Sequence, residues 1–159
     1  MSPALNDLYP IHVANAQEFK EAIAIRIRVF VDIQKFPLNE EVDEHDKTAL
    51  HLVIVDASKN NKVIGTLRVM NTGDMAKIGR VVILPEYQGK GLGKKLILFA
   101  DQYLANSAAF KRCTHAKLGS QYDKRVFYEK CGYVAKGNIY DELGYPHIWM
   151  FKEFVRTSS

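Results

Sequence analysis

Arg80-Val81-Val82-Ile83-Leu84-Pro85-Glu86-Tyr87-Gln88-Gly89-Lys90-Gly91-Leu92-Gly93-Lys94-Lys95 is the stretch from which the fold is read. Val81 to Leu84 are consecutive apolar residues, the pattern of a buried strand, and Pro85 stops it. Three glycines then let the backbone approach a ligand with no Cβ in the way. Leu92, Leu96, Phe99 and Tyr103 follow at helical spacing, which predicts a helix from about Gly91 to Ala105. The first amides of such a helix lack intrahelical partners. They point outward at the positive end of the helix dipole and make an anion site. Two other phosphate loops are excluded by spacing. A P-loop would need glycine at Gln88 and Ser or Thr at Lys95. A dinucleotide fingerprint counted from Gly89 and Gly91 would need its third glycine at Lys94.

Upstream, Ile11-His12-Val13 reads as a short strand. Ala16 to about Phe30 reads as an amphipathic helix with Phe19, Ile23, Ile27 and Phe30 facing the core. Pro37 and the acids after it form a loop. Leu50 to Val55 and Val63 to Met70 read as an antiparallel hairpin around the polar turn Ser58-Lys59-Asn60-Asn61, and Ile78 to Leu84 as the next strand. Downstream come a strand at Thr114 to Leu118 and a helix at Asp123 to Cys131 ended by Gly132. Tyr133 to Ile139 and His147 to Phe154 read as strands around a Gly144-Tyr145-Pro146 turn. Hairpins first and crossovers later imply an α/β chain of the α+β type, a mixed, mostly antiparallel sheet with helices on both faces.

The chain has 159 residues, 47% apolar and 25% charged, the size and balance of one globular domain spanning residues 1–159. That balance excludes a disordered chain, a collagen-like fibre and a coiled-coil rod. No apolar run approaches the roughly 18–20 residues of a membrane-spanning helix, and the first residues lack the pattern of a signal peptide. A cytoplasmic protein with two reduced, buried thiols, Cys113 and Cys131, is expected, with no metal site at their spacing. The net charge is +4, but it is unevenly placed. Acids dominate from Asp32 to Asp56 and bases from Lys77 to Lys130. A basic half suits a phosphate-rich ligand and an acidic loop, Glu40 to Asp46, suits a cationic one; two unevenly charged solvated faces would give the same count.

Gln88, Gly91 and Gly93, directly after the strand end Val81-x-Ile83-x-Pro85-x-Tyr87, form a Q/R-x-x-G-x-G pattern. It resembles the acetyl-CoA pyrophosphate loop of the GNAT superfamily of N-acyltransferases. A second stretch agrees: Phe127-Tyr128-Glu129-Lys130-Cys131-Gly132-Tyr133 resembles the superfamily's [FL]-Y-x-[KR]-x-G-[FY]. Together the likeness covers Leu50 through Phe154. Further stretches are similar to the ElaA/YjcF-like branch: Leu118-Gly119-Ser120-Gln121, Tyr145-Pro146-His147-Ile148-Trp149-Met150, and Arg28-Val29-Phe30-Val31 with Gln34, Glu41, Asp43, Asp46 and His51. That branch usually has Glu-Gln where this chain has Ile33-Gln34.

The resemblance implies a GNAT fold and acetyl-CoA as donor cosubstrate. It implies a cofactor site built from Val81, Val82, Ile83, Gln88, Gly89, Lys90, Gly91, Leu92, Gly93, Lys94 and Gln121. Acyl transfer from a thioester to an amine also needs an oxyanion donor, and a free backbone N–H near Val82 or Ile83 is the candidate. The leaving thiolate needs a proton, and the resemblance places Tyr128 there. The ammonium needs a base, for which Glu41, Asp43, Asp46, His51 and His147 are open candidates, Glu41 and His51 being taken as catalytic. Asp43 and His147 are taken as acceptor-binding. So is Arg80, which either binds an anionic group of the acceptor or pairs with an acid of the loop. Cys131 as an acyl-cysteine nucleophile is disfavoured, and direct transfer in a ternary complex is expected.

The expected activity is acetylation of a primary amine on a small molecule of amino-sugar or polyamine type. The alternatives are a CoA-binding sensor without catalysis and, further off, an acetyltransferase for protein N-termini or lysines. A homodimer through the C-terminal strands is what the superfamily resemblance implies. Nucleic acid is not expected as a partner, because the bases gather at the loop instead of alternating with stacking aromatics.

Overall fold

A computed structural model describes residues 8–156. They group into two compact units. One takes the chain as far as Arg68 together with Arg80–Leu96. The other takes Val69–Gly79 together with the chain from Ile97 onward. Among the described residues eight strands form a mixed sheet, as the order of hairpins and crossovers requires.

The first unit begins with β1 (Ile11–Val13), which runs antiparallel to β2 (Leu50–Asp56) with Ile11 opposite Ile54. Helix α1 (Ala16–Arg26) starts at a capping box. Asn15 Oδ1 accepts from Glu18 N at 2.8 Å, and Glu18 Oε1 accepts from Asn15 N at 3.1 Å. The helix then widens into π-type turns over Ile27–Ile33. Its buried stripe is Ala22, Ile25, Arg26 and Val29; Phe19, Ile23, Ile27 and Phe30, expected in the core, lie half-buried along its edge. The stripe is displaced because a charged residue, Arg26, belongs to it. β2 and β3 (Lys62–Asn71) are neighbours joined by five residues, too few for a crossover, so they form the expected hairpin. Gly65 on β3 is tightly covered: a Cβ there would lie 2.5 Å from Ile83 Cδ1 and 2.8 Å from Val82 O.

The second unit holds the parallel ladder of β4 (Met75–Ile83) with β5 (His115–Gln121), formed by Met75–Ile78 against His115–Leu118. β5 runs antiparallel to β8 (Tyr145–Glu153), which also carries β6 (Val134–Ala135) and β7 (Tyr140–Glu142). Helix α2 (Leu92–Asn106) starts in the first unit and continues here, and α3 (Arg125–Lys130) ends at Gly132, whose φ is +94°.

The strand expected from Tyr133 to Ile139 is in fact interrupted. Val134 faces Phe151 but Tyr140 faces His147, so six steps along one side match four on the other. The surplus bulges out around Gly137, at φ +89°. The turn is also one position earlier than expected. Leu143 and Gly144, at φ +53° and +87°, make a two-residue hairpin turn, and Tyr145 and Pro146 already belong to β8.

Candidate active site

The glycine-rich loop follows β4 in the first unit. Pro85–Tyr87 makes one tight turn, and Gln88 Nε2 reaches back to donate to Ile83 O at 2.9 Å. Tyr87 is pinned by its hydroxyl, which donates to Asp56 Oδ2 at 2.6 Å. Gly89 and Gly91 have φ of +81° and +78°, the left-handed region where a side chain is strained, and nothing lies within 4 Å of a Cβ built on either. Lys95 N donates to Gly91 O at 3.1 Å, which makes Gly91 the cap of α2. The amides of Leu92, Gly93 and Lys94 are then the first-turn donors without intrahelical acceptors. An exposed loop of glycines before three such amides fits a pyrophosphate, whose oxygens need close donors and no Cβ between.

β4 is distorted just before this loop. Arg80 sits at φ +55°, uncommon for a residue with a side chain and a break in the alternation of the strand. The β4–β5 ladder covers Met75–Ile78, and Arg80 to Ile83 follow beyond it. On the other side Leu84 N donates to Ile64 O at 2.8 Å.

The acidic loop is not a set of open charges. Arg26, 1% exposed, donates from Nε to Glu41 Oε1 at 2.8 Å and from Nη1 to Asp46 Oδ1 at 2.7 Å. Arg68 donates from Nη1 to Asp43 Oδ1 at 2.7 Å and to Asp46 Oδ1 at 2.9 Å. Arg80 places Nε 3.1 Å from Glu41 Oε2 and donates to the carbonyls of Glu40 and Glu41. Three carboxylates are thus spent on three guanidinium groups. The loop expected to suit a cationic ligand, or to be a solvated face, is paired within the protein, and Arg80 contacts Glu41 and the loop carbonyls.

Burial alone would raise the Asp46 carboxyl, but hydrogen bonds and charge from Arg26 and Arg68 hold it down at about 2. For Glu41 burial wins, and its carboxyl is pushed above the usual range despite its arginines. His51 Nε2 donates to Asp46 O at 2.8 Å, and its ring meets Phe19 edge-on at 4.8 Å. Burial lowers its pKa, so the ring is neutral at pH 7 with its lone pair on Nδ1.

In the second unit Tyr128 lies on α3 with Phe127 and Tyr133 edge-on at 4.9 Å and 6.3 Å. Its hydroxyl has no hydrogen-bond partner among the described residues. Burial, with a smaller contribution from Cys131, raises its pKa, so the phenol keeps its proton at neutral pH. Cys113 and Cys131 are both buried and neither is in a disulfide. Gln121 ends β5 opposite His147. His147 is buried, with Nδ1 donating to Tyr145 O at 2.9 Å. The structure therefore gathers Arg80, Glu41, Asp43, Asp46 and His51 into one cluster, and Gln121 and His147 into another.

Arg26 and Arg68 were missed by sequence reasoning. Each is a charge set between apolar neighbours, Arg26 between Ile25 and Ile27 and Arg68 between Leu67 and Val69. Beside an unusually acidic loop, that was the available signal.

A glycine loop capping a helix directly after a distorted strand is the arrangement that the resemblance to coenzyme-A-dependent acyltransferases implies. Residues 48–135 match the Acetyltransferase (GNAT) domain, and the chain belongs to that family. It falls in the ElaA/YjcF-like branch and is an acetyl-CoA-dependent N-acetyltransferase. YyaT of Bacillus subtilis (strain 168) is 31% identical over 145 residues, 91% of this chain and 95% of that protein. ElaA of Escherichia coli (strain K12) is 27% identical over 144 residues, 85% and 87% of the two chains. Among solved structures, an acyl-CoA N-acyltransferase from Pseudomonas aeruginosa superposes with a TM-score of 0.75 at 27% identity, covering 91% and 97%. A spermidine N-acetyltransferase from Vibrio cholerae, in complex with CoA and spermine, shares the fold with a TM-score of 0.69 at 20% identity, covering 94% and 97%. No helix among the described residues is long and apolar enough to cross a membrane.

Proposed function

We propose that residues 1–159 act as one acetyltransferase domain that moves an acetyl group from acetyl-CoA to the primary amine of a small molecule by direct transfer. The observation that carries this reading is the open glycine loop capping α2 at Gly91. The amides of Leu92, Gly93 and Lys94, with Gln88, Gly89, Lys90 and Gly91 around them, hold the pyrophosphate. The backbone of Val81–Ile83 pairs with the pantetheine arm as a neighbouring strand would. An N–H of Val82 or Ile83 stabilises the oxyanion, and Gln121 is assigned to the cofactor by its motif.

Tyr128 gives its proton to the departing thiolate, a role supported by a phenol that is protonated and not otherwise engaged. His51 is the better supported base, with a neutral ring and a lone pair on Nδ1. Both oxygens of Glu41 face arginines, which favours a part in holding Arg80 and the loop. Asp43 helps to hold that loop, and His147 binds the acceptor. A buried Cys131 favours direct transfer over an acyl-cysteine. The Vibrio cholerae spermidine enzyme supports a polyamine-type acceptor. Two cysteines outside any disulfide fit the cytoplasm.

Release of CoA thiol with acetyl-CoA and a panel including spermidine and glucosamine tests the reading. Amine-dependent turnover with intersecting initial-velocity lines is expected. Parallel lines would overturn direct transfer, and no amine-dependent release would overturn the small-amine acceptor. Tyr128→Phe is expected to lower kcat by roughly 10–10³-fold with acetyl-CoA affinity unchanged. An unchanged kcat across the pH range would reduce Tyr128 to packing.

A further inference from the structure

Among the described residues one buried side-chain oxygen or nitrogen lacks a hydrogen-bond partner, the Tyr140 hydroxyl. A buried hydroxyl left unpaired is costly, so a fold that keeps one has a use for it or a partner that comes and goes. The hydroxyl lies over Gly119 so closely that a Cβ there would collide with it, so only glycine leaves it room. Tyr140 stacks on Trp149 at 5.3 Å and lies beside the His147 ring at 5.7 Å.

Glu142 is two residues further along β7 and shares the face of Tyr140, while His147 is the cross-strand partner of Tyr140 on β8. His147 spends its Nδ1 hydrogen on Tyr145 O, which in the neutral ring leaves a lone pair on Nε2. That atom is 3.5 Å from Glu142 Oε2. In that neutral tautomer the ring lone pair and the carboxylate oxygen face each other. Lys117 and Lys77, the cations next to this face, lie over the Trp149 ring at 4.3 Å and 5.4 Å.

We propose that Tyr140, Glu142 and His147 form the subsite for the acceptor's ammonium group. Three acceptor atoms, Tyr140 Oη, Glu142 Oε2 and His147 Nε2, match the three N–H donors of a primary ammonium. The carboxylate of Glu142, on a half-exposed side chain, supplies the charge that the paired loop acids do not. This rests on the acetyltransferase reading and adds to it Tyr140 and Glu142.

The experiment is calorimetric titration of the CoA-saturated protein with spermidine, alongside steady-state kinetics. Tyr140→Phe and Glu142→Gln are each expected to weaken spermidine binding and raise the amine KM roughly tenfold, the value of one hydrogen bond to a charged group. The acetyl-CoA KM should stay within about twofold. A structural hydroxyl behaves differently: Tyr140→Phe would then leave amine KM unchanged and hold or raise Tm, and that result overturns the subsite. So does a wild-type protein that binds no amine, or a His147 ring already protonated at pH 8 in the free protein by NMR titration. Spermidine binding that is lost in both variants but leads to no turnover in wild type would keep the subsite and overturn the catalytic reading instead.

Discussion

Arg26→Met is expected to cost about 3–5 kcal/mol of stability, the range for removing one partner from a buried ion pair. The guanidinium it removes is 1% exposed and serves Glu41 and Asp46, which are 5% and 4% exposed. Their remaining partners, Arg80 and Arg68, already serve other acceptors. A domain holds only roughly 5–15 kcal/mol in total, so the unfolding midpoint should drop by roughly 6–20 °C. Arg28→Met is the control. It removes a 2.6 Å pair with Glu86 two residues further along the same helical segment, but both partners are 48% exposed and the midpoint should barely move.

The loss should also depend on pH. Asp46 has its folded pKa depressed to about 2, so its contribution is present above the unfolded value of 3.8 and is lost as pH falls toward 2. Asp43 is depressed as well and acts in the same direction. Glu41, raised by burial, works the other way and stabilises the fold when protonated. The gap between wild type and Arg26→Met, measured by urea unfolding, should therefore be widest near neutral pH and narrow below pH 4. Equal midpoints for the two methionine variants at pH 7 would mean that the network carries no stability.

This network also shows where the sequence stopped being readable. The phosphate loop is local chemistry: strand, proline, glycines and helix start are contiguous, and each forces the next. The arginine cluster joins Arg26, Glu41, Asp46, Arg68 and Arg80, partners separated by 15 to 39 positions, so no window contains it. Read one segment at a time, Arg26 looks like a surface charge and the loop acids look solvated. The same limit hid the break between β6 and β7. Apolar Tyr133-Val134-Ala135 and Ile139 at its ends read as one strand, and only pairing with β8 shows the surplus residues. Tyr140 and Glu142 lie just past that stretch, between it and the expected turn, and their chemistry went unseen.

Gly91→Glu should abolish acetyl-CoA binding, weakening it on the order of 10²-fold or more, while the protein stays folded. Gly91 caps α2 at φ +78°, and a side chain there would point into open space. The fold therefore pays only backbone strain, roughly 1–2 kcal/mol. Part of that is offset, because a carboxylate at a helix N-terminus is favourable to the dipole and can accept from the unpaired amides. That favourable contact is what defeats the ligand. The new carboxylate occupies the donors of Leu92, Gly93 and Lys94 and repels the incoming pyrophosphate. Gly137→Glu separates strain from site: Gly137 has φ +89° and equally open space, but lies far along the chain in the β6–β7 bulge. It should lose comparable stability and keep its affinity. Because the repulsion is between exposed charges, high salt should restore part of the Gly91→Glu affinity and leave Gly137→Glu unmoved. Calorimetry with acetyl-CoA reads all three. If Gly91→Glu binds as tightly as wild type, the amides at the start of α2 do not hold the pyrophosphate.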